Sequence, residues 1–168
     1  MTRVAVLVAD TFEENELFYP YFRLQEEGFH VDLIGAEGDV AYKGKHGITA
    51  VSDYASKEVS VEDYDGVIIP GGYSPDQMRQ CPETVQFVKG MNDKNKTIAA
   101  ICHGPWMMIS SCDLSGRTLT GFFSIKDDIV NAGAKYVDQE IMVDGNFITS
   151  RTPKDLPAFG KAIVESLK

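Results

Sequence analysis

The 168-residue chain carries 25 acidic residues against 16 basic ones, so its net charge is −9 at neutral pH. That sign argues against nucleic acid as a partner, because phosphate neutralisation needs clustered lysine and arginine, and it equally opposes docking on an anionic membrane surface. No apolar run approaches the ~18 residues of a transmembrane helix, the opening apolar stretch is too short and too quickly followed by acids to be a secretory signal, and three cysteines without framework spacing indicate free thiols in a reducing cytoplasm.

Residues 3–9, RVAVLVA, make a short, nearly continuous apolar run, the pattern of a strand buried on both faces of a parallel sheet. A helix is predicted over 14–28, with Leu17, Tyr21 and Leu24 at three-to-four spacing, Pro20 as a point of kinking and Gly28 as a stop. HVDLIG (30–35) reads as the second strand, and Gly44 and Gly47 between β-branched segments of 38–57 indicate a hairpin. DGVIIPGG (65–72) is another buried strand, 82–94 a helix opened by Pro82, and KTIAAIC (96–102) a further strand that runs into a helix at 104–111. SIKDDIVNAG is helical and stops at Gly133; 135–150 alternates on either side of Asp144-Gly145 as a hairpin; 155–168 closes the chain as an amphipathic helix.

No repeat or linker-like stretch interrupts this order, so one domain over 1–168 is expected. Strands alternating with helices predict an α/β sandwich around a mostly parallel sheet. Ligands of such sheets collect at the carboxyl ends of the strands. Three polar or glycine-rich strand exits, DTFEENE, PGGYSPD and CHGP, are therefore expected to converge on one site.

AICHG has the form small-x-nucleophile-x-Gly between a strand and a helix, a turn tight enough to hold its central side chain in a strained, projecting position. The following helix points its N-terminus at the Cys102 sulfur and would lower the thiol pKa; backbone N–H groups of the same turn would face a developing oxyanion. The alternative is that Cys102 is a small buried hydrophobe. Of the three histidines, His30 begins a strand and His46 sits in the glycine-flanked hairpin, which leaves His103 as the candidate base. Adjacent side chains on a turn diverge, which weighs against a conventional Cys–His pair. Glu13 and Glu16 lie three apart at a helix start; the simple reading is complementation of the helix dipole. The functional reading buries one of these carboxyls beside Cys102 with a raised pKa.

FEENELFYPYFRLQEEGF, IIPGGYSPDQMR, AICHGP, IKDDIVNAGA and TSRTPKDLPAF together resemble the PfpI-type members of the ThiJ/PfpI superfamily, across essentially the whole chain. These are intracellular cysteine peptidase-like proteins of the class I glutamine amidotransferase-like group, and their relatives include a protein deglycase. The resemblance implies a flavodoxin-like three-layer sandwich that assembles as a homodimer or as a hexamer built from three dimers. It implies Cys102 as nucleophile, His103 beside it, Glu16 as the carboxyl that hydrogen-bonds the sulfur and Glu13 as a second pocket acid. Gly71 and Gly72, with His103, would supply backbone to an oxyanion. The position whose acid orients the histidine from a neighbouring subunit is Asp76, one methylene shorter than the family's glutamate, and Phe122 stands where some relatives carry a tyrosine.

Three functions follow from that reading: a cofactor-free, metal-free enzyme acting on reactive carbonyls or glycated proteins, a cysteine peptidase, or a redox sensor and chaperone working through oxidation of Cys102. Cys81 and Cys112 carry no motif.

Overall fold

The computed structural model describes all 168 residues. In chain order they form β1 (Arg3–Leu7), α1 (Glu14–Glu26), β2 (His30–Gly35), β3 (Ala41–Lys43), β4 (Thr49–Val51), β5 (Tyr54–Ala55), β6 (Gly66–Ile69), α2 (Ser74–Met78), α3 (Pro82–Asp93), β7 (Thr97–Ile101), α4 (Pro105–Ser111), β8 (Thr118–Leu119), α5 (Lys126–Asn131), β9 (Lys135–Tyr136), β10 (Met142–Asp144), β11 (Phe147–Ser150) and α6 (Leu156–Leu167). Seven strands make one sheet in the order β10-β11-β7-β6-β1-β2-β5, parallel throughout except for the β10–β11 hairpin.

The continuous apolar runs are explained by this sheet, because successive residues of a strand face opposite layers. Ala5 and Leu7 join a core with Phe87, Val88 and Met91 of α3 and Met107 and Met108 of α4. Val4 and Val6 join another with Leu17 and Leu24 of α1 and Phe159, Ile163 and Val164 of α6. The expected α/β sandwich with a flavodoxin-like layering is thus the observed fold. No helix is long and apolar enough to cross a membrane.

β1 is the strand from which the order departs both ways: β2 lies on one side and β6, β7 and β11 on the other. Connections leaving such a point go to opposite faces and leave a crevice at the carboxyl ends of the strands. The loops after β1, β6 and β7 all open onto it. At the opposite end, Asp32 gathers Arg3 Nε (2.7 Å), the buried Tyr64 hydroxyl (2.9 Å) and His30 Nε2 (2.9 Å), which satisfies a polar cluster that would otherwise be costly to bury.

The structure corrects several local expectations. The first strand ends at Leu7, although Val8 and Ala9 stay buried. Helix α1 runs on through Pro20. The short helix α2, just after the Gly71-Gly72 pair, was not expected; its signal is the Pro75 at its start, in a stretch only five residues long. The alternating segment 135–150 is not one hairpin. Lys135–Tyr136 pairs in parallel with Thr118–Leu119, and only Met142–Asp144 folds back on Phe147–Ser150. Arg117 enforces the split by holding Asp144 through its side chain (3.3 Å) and its backbone carbonyl (2.7 Å), while the Asp144 carboxylate also accepts Thr118 N–H (2.7 Å).

Candidate active site

β7 ends in a turn that holds Cys102 at φ +62°, the left-handed region that costs a non-glycine residue about 1–2 kcal/mol. Three contacts impose it. Cys102 N–H donates to Ser150 O (3.1 Å), Cys102 O accepts Phe122 N–H (2.8 Å), and Gly104 N–H closes the turn on Ile101 O (2.8 Å). A Cβ on Gly104 would lie 2.5 Å from Ile69 O and 2.9 Å from Ile101 N, so only glycine lets α4 start here. The expected strained turn is present, and it aims Cys102 into the crevice.

Glu16 reaches the same point from α1. Its residue is wholly buried, Oε1 accepts Gly71 N–H at 3.0 Å, and Oε2 is buried without any hydrogen-bond partner. Burial, and then the negative charge of Glu13, push its carboxyl up to about 8, so Glu16 is mostly protonated at neutral pH. Glu13 caps the helix, its Oε2 accepting Glu16 N–H at 3.0 Å. Both readings of the acidic helix start therefore hold, one for each residue. The close approach of carboxyl and sulfur depends on Gly71, where a Cβ would meet Glu16 Oε1 at 2.6 Å and Cys102 Cβ at 3.0 Å.

Burial and then the Glu16 charge push the Cys102 thiol up, against the lowering expected from α4; the His103 backbone N–H works in the expected direction. The two buried acids oppose each other's ionisation, so the pair carries a single charge before it carries two.

His103 stands closer to the sulfur than its place in sequence suggested, with Nδ1 3.3 Å from Cys102 Sγ. The positive φ at Cys102 turns the two side chains to one side. Burial, then Lys45, lower the His103 pKa, so the ring is neutral. A tautomer that accepts at Nδ1 and donates Nε2–H to Ser124 Oγ (3.3 Å) satisfies both contacts. Phe122 stacks on the ring at 5.0 Å between centroids and Trp106 meets it edge-on at 4.9 Å.

Gly72 (φ +69°) and His103 contribute backbone N–H groups that no main-chain oxygen accepts, and the His103 N–H is turned to the Cys102 sulfur, where an oxyanion would develop. Gly71 does not, because its N–H is committed to Glu16. Asp76 on α2 is half-exposed and pairs with Arg79 at 3.4 Å; within one chain it makes no bond to His103. Cys81 donates to Glu83 Oε2 (3.3 Å) beside α3, and the Cys112 thiol is pushed up by burial at the end of α4; neither joins the Cys102 cluster. Ser124 and Lys45 were missed. Ser124 is signalled only by its place after the GFF segment that packs on His103, and Lys45 by a lysine between the glycines of the predicted hairpin. Glu13, Glu14 and His46 offer ligand atoms within 4.8 Å of one another, the one grouping close enough to share a metal ion. Glu14 is already engaged there by His46 N–H (2.7 Å) and Nδ1 (2.9 Å), a contact that fastens the β3–β4 loop to α1.

Comparison with known proteins places this arrangement. The chain matches the DJ-1/PfpI family model over residues 2–166, and it belongs to that family. A Pyrococcus abyssi protein named as a deglycase is 44% identical over 99% of this chain and 99% of its own length. A Bacillus subtilis relative, provisionally named a cysteine protease, is 41% identical over 99% of this chain and 98% of its own. Among solved structures, a two-domain Anabaena variabilis protein with DJ-1/ThiJ/PfpI-like and ferritin-like domains superposes with a TM-score of 0.96 at 41% identity over 98% of this chain, which spans 48% of that longer protein.

Proposed function

We propose that this member of the DJ-1/PfpI family is a cysteine-dependent enzyme acting on α-oxoaldehydes such as methylglyoxal, free or attached to protein side chains, without glutathione or any other cofactor. The observation that carries the reading is Glu16 Oε2, buried beside Cys102 with no partner, on a carboxyl whose pKa of about 8 suits it to take and return a proton near neutral pH.

Cys102 Sγ adds to the aldehyde carbon while its proton passes through His103 Nδ1 to the aldehyde oxygen, giving a thiohemiacetal. Gly72 and His103 N–H groups receive the oxygen as charge develops on it. Ionised Glu16 removes the hydrogen from the former aldehyde carbon and returns it to the neighbouring carbon, while the hydroxyl proton passes from the first oxygen to the second; together the two transfers convert the adduct to a hydroxyacyl thioester. Water then releases lactate and restores the thiol, so methylglyoxal plus water account for every atom of the product. On a glycated side chain the protein amine or thiol leaves first, taking the hydroxyl proton of the hemiaminal or hemithioacetal, and the aldehyde so regenerated is the one Cys102 attacks.

Lactate formation from methylglyoxal without glutathione is expected in the wild type and lost in Cys102→Ala. The 3.3 Å Sγ–Nδ1 contact favours a second reading, a peptidase in which His103 activates the sulfur and protonates the leaving amine. Casein cleavage that disappears in the same variant, with no lactate formed by either protein, would establish the peptidase instead. Oxidation of Cys102 by mild peroxide in a protein lacking both activities would leave the redox role.

Orientation of His103 by Asp76 of a partner subunit belongs to the same proposal, with a homodimer or hexamer as the active species. Full activity in a protein that sediments as a monomer would rule that assembly out.

A further inference from the structure

The loop between β3 and β4 is bound to the turn that builds the pocket. Thr11 N–H donates to Lys43 O (2.7 Å), Lys45 N–H to Phe12 O (2.9 Å) and Lys43 N–H to Asp10 Oδ1 (3.0 Å), and His46 is held by Glu14 as described. Phe12 is itself bridged to Gly72, and Glu13 N–H donates to Gly71 O (3.3 Å). Lys45 is thus fixed by its backbone one strand away from the Gly71-Gly72 pair. Its side chain belongs to an exposed residue and makes no ion pair, whereas Lys89 and Lys94 are both paired. The ammonium acts on the whole site: it pulls down Glu16, Cys102 and His103 alike. The two carboxylates nearest the loop are already engaged, Glu13 by Glu16 N–H (3.0 Å) and Glu14 by His46 (2.7 and 2.9 Å), and Lys45 pairs with neither.

The geometry points to Lys45 as the specificity-determining residue of the Cys102 site, and to α-oxoaldehydes that carry a carboxylate as its preferred substrates. The substrate class rests on the carbonyl chemistry proposed above; the anion preference rests on the loop. A lysine is a compact point charge on a flexible stem and can meet a carboxylate a few bonds from the reacting carbonyl. A neutral α-oxoaldehyde gains nothing from it. The carboxylate-bearing analogue of methylglyoxal is γ,δ-dioxovalerate, which the same steps convert with one water to α-hydroxyglutarate.

The test compares alkylation of Cys102 by iodoacetate and by iodoacetamide, followed at the Cys102 peptide by mass spectrometry, in wild type, Lys45→Met and Lys45→Arg. Both reagents consume the same thiolate, so their rate ratio cancels any change in sulfur ionisation. Lys45→Met is expected to lower the iodoacetate-to-iodoacetamide ratio about tenfold, the size of one close charge interaction near a protein surface. Lys45→Arg should keep the ratio within about twofold of wild type, since the charge is retained. An unchanged ratio in Lys45→Met overturns the proposal whether or not the protein turns over any carbonyl. In parallel, kcat/KM for γ,δ-dioxovalerate should exceed that for methylglyoxal in the wild type, and Lys45→Met should erase the difference through KM. Equal values in the wild type overturn the substrate class. Turnover of neither substrate, with the alkylation ratio shifted as expected, keeps Lys45 as the anion selector and sinks the carbonyl reaction instead.

Discussion

Replacing Glu16 with glutamine is expected to lower kcat for methylglyoxal at least ~100-fold, the scale of a lost general acid–base group, while Cys102 still forms its adduct. Glutamine keeps an oxygen to accept Gly71 N–H but cannot shuttle a proton between two carbons. The wild-type kcat should rise with pH and reach half its maximum near about 8, since the carboxylate is the active form.

Stability should move the other way. The folded pKa of Glu16 is raised from 4.5 to about 8, so the folded state holds this proton more tightly than the unfolded chain. That contribution is fully present below the unfolded value and is lost as pH rises through the folded one. The cost at pH 9 approaches about 5 kcal/mol if the whole shift is expressed. Glu16→Gln should remove this slope, so the two proteins' urea-unfolding free energies should diverge with pH in favour of the variant. Parallel profiles would mean that Glu16 is ionised throughout.

The second large effect falls on Gly104. Its backbone is helical, at φ −49°, so alanine is conformationally acceptable there. The obstacle is space: the new Cβ meets Ile69 O at 2.5 Å and Ile101 O at 2.9 Å, both main-chain atoms held in the sheet. Gly104→Ala should therefore cost about 3 kcal/mol, read as a lower urea midpoint at unchanged slope, and should depress activity by shifting Cys102 off its turn. Gly28→Ala is the contrasting control. Gly28 sits at φ +86° with nothing within 4 Å, so only the left-handed backbone is at stake and about 1 kcal/mol is expected. Equal losses at the two positions would remove the steric argument for Gly104.

Much of this architecture can be read from residue pattern. Runs such as VAVL and IAAI are apolar at every position because both faces of their strands are covered, and AICHG announces a tight turn because small residues, Ala100 and Gly104, stand two positions to either side of the cysteine. Convergence of the three strand exits follows once the sheet is parallel. What could not be read depends on contacts between distant segments. Glu13 and Glu16 look alike in sequence; the Gly71 N–H and the depth of the pocket separate the cap from the buried acid. The Cys102–His103 contact requires the positive φ at Cys102, and a residue-by-residue reading treats the turn as divergent. Lys45 gains its place only through hydrogen bonds to residues more than thirty positions upstream. The pairing of Lys135–Tyr136 with Thr118–Leu119 is decided by Arg117 and Asp144, which no alternation reveals.

The most direct test of the Cys102–Glu16 account is peptide mapping of Glu16→Gln after incubation with methylglyoxal and borohydride quench. The account predicts one methylglyoxal-derived adduct, localised to Cys102, accumulating while lactate production stays at least ~100-fold below wild type. Lactate formed at the wild-type rate by that variant, or by Cys102→Ala, would contradict it.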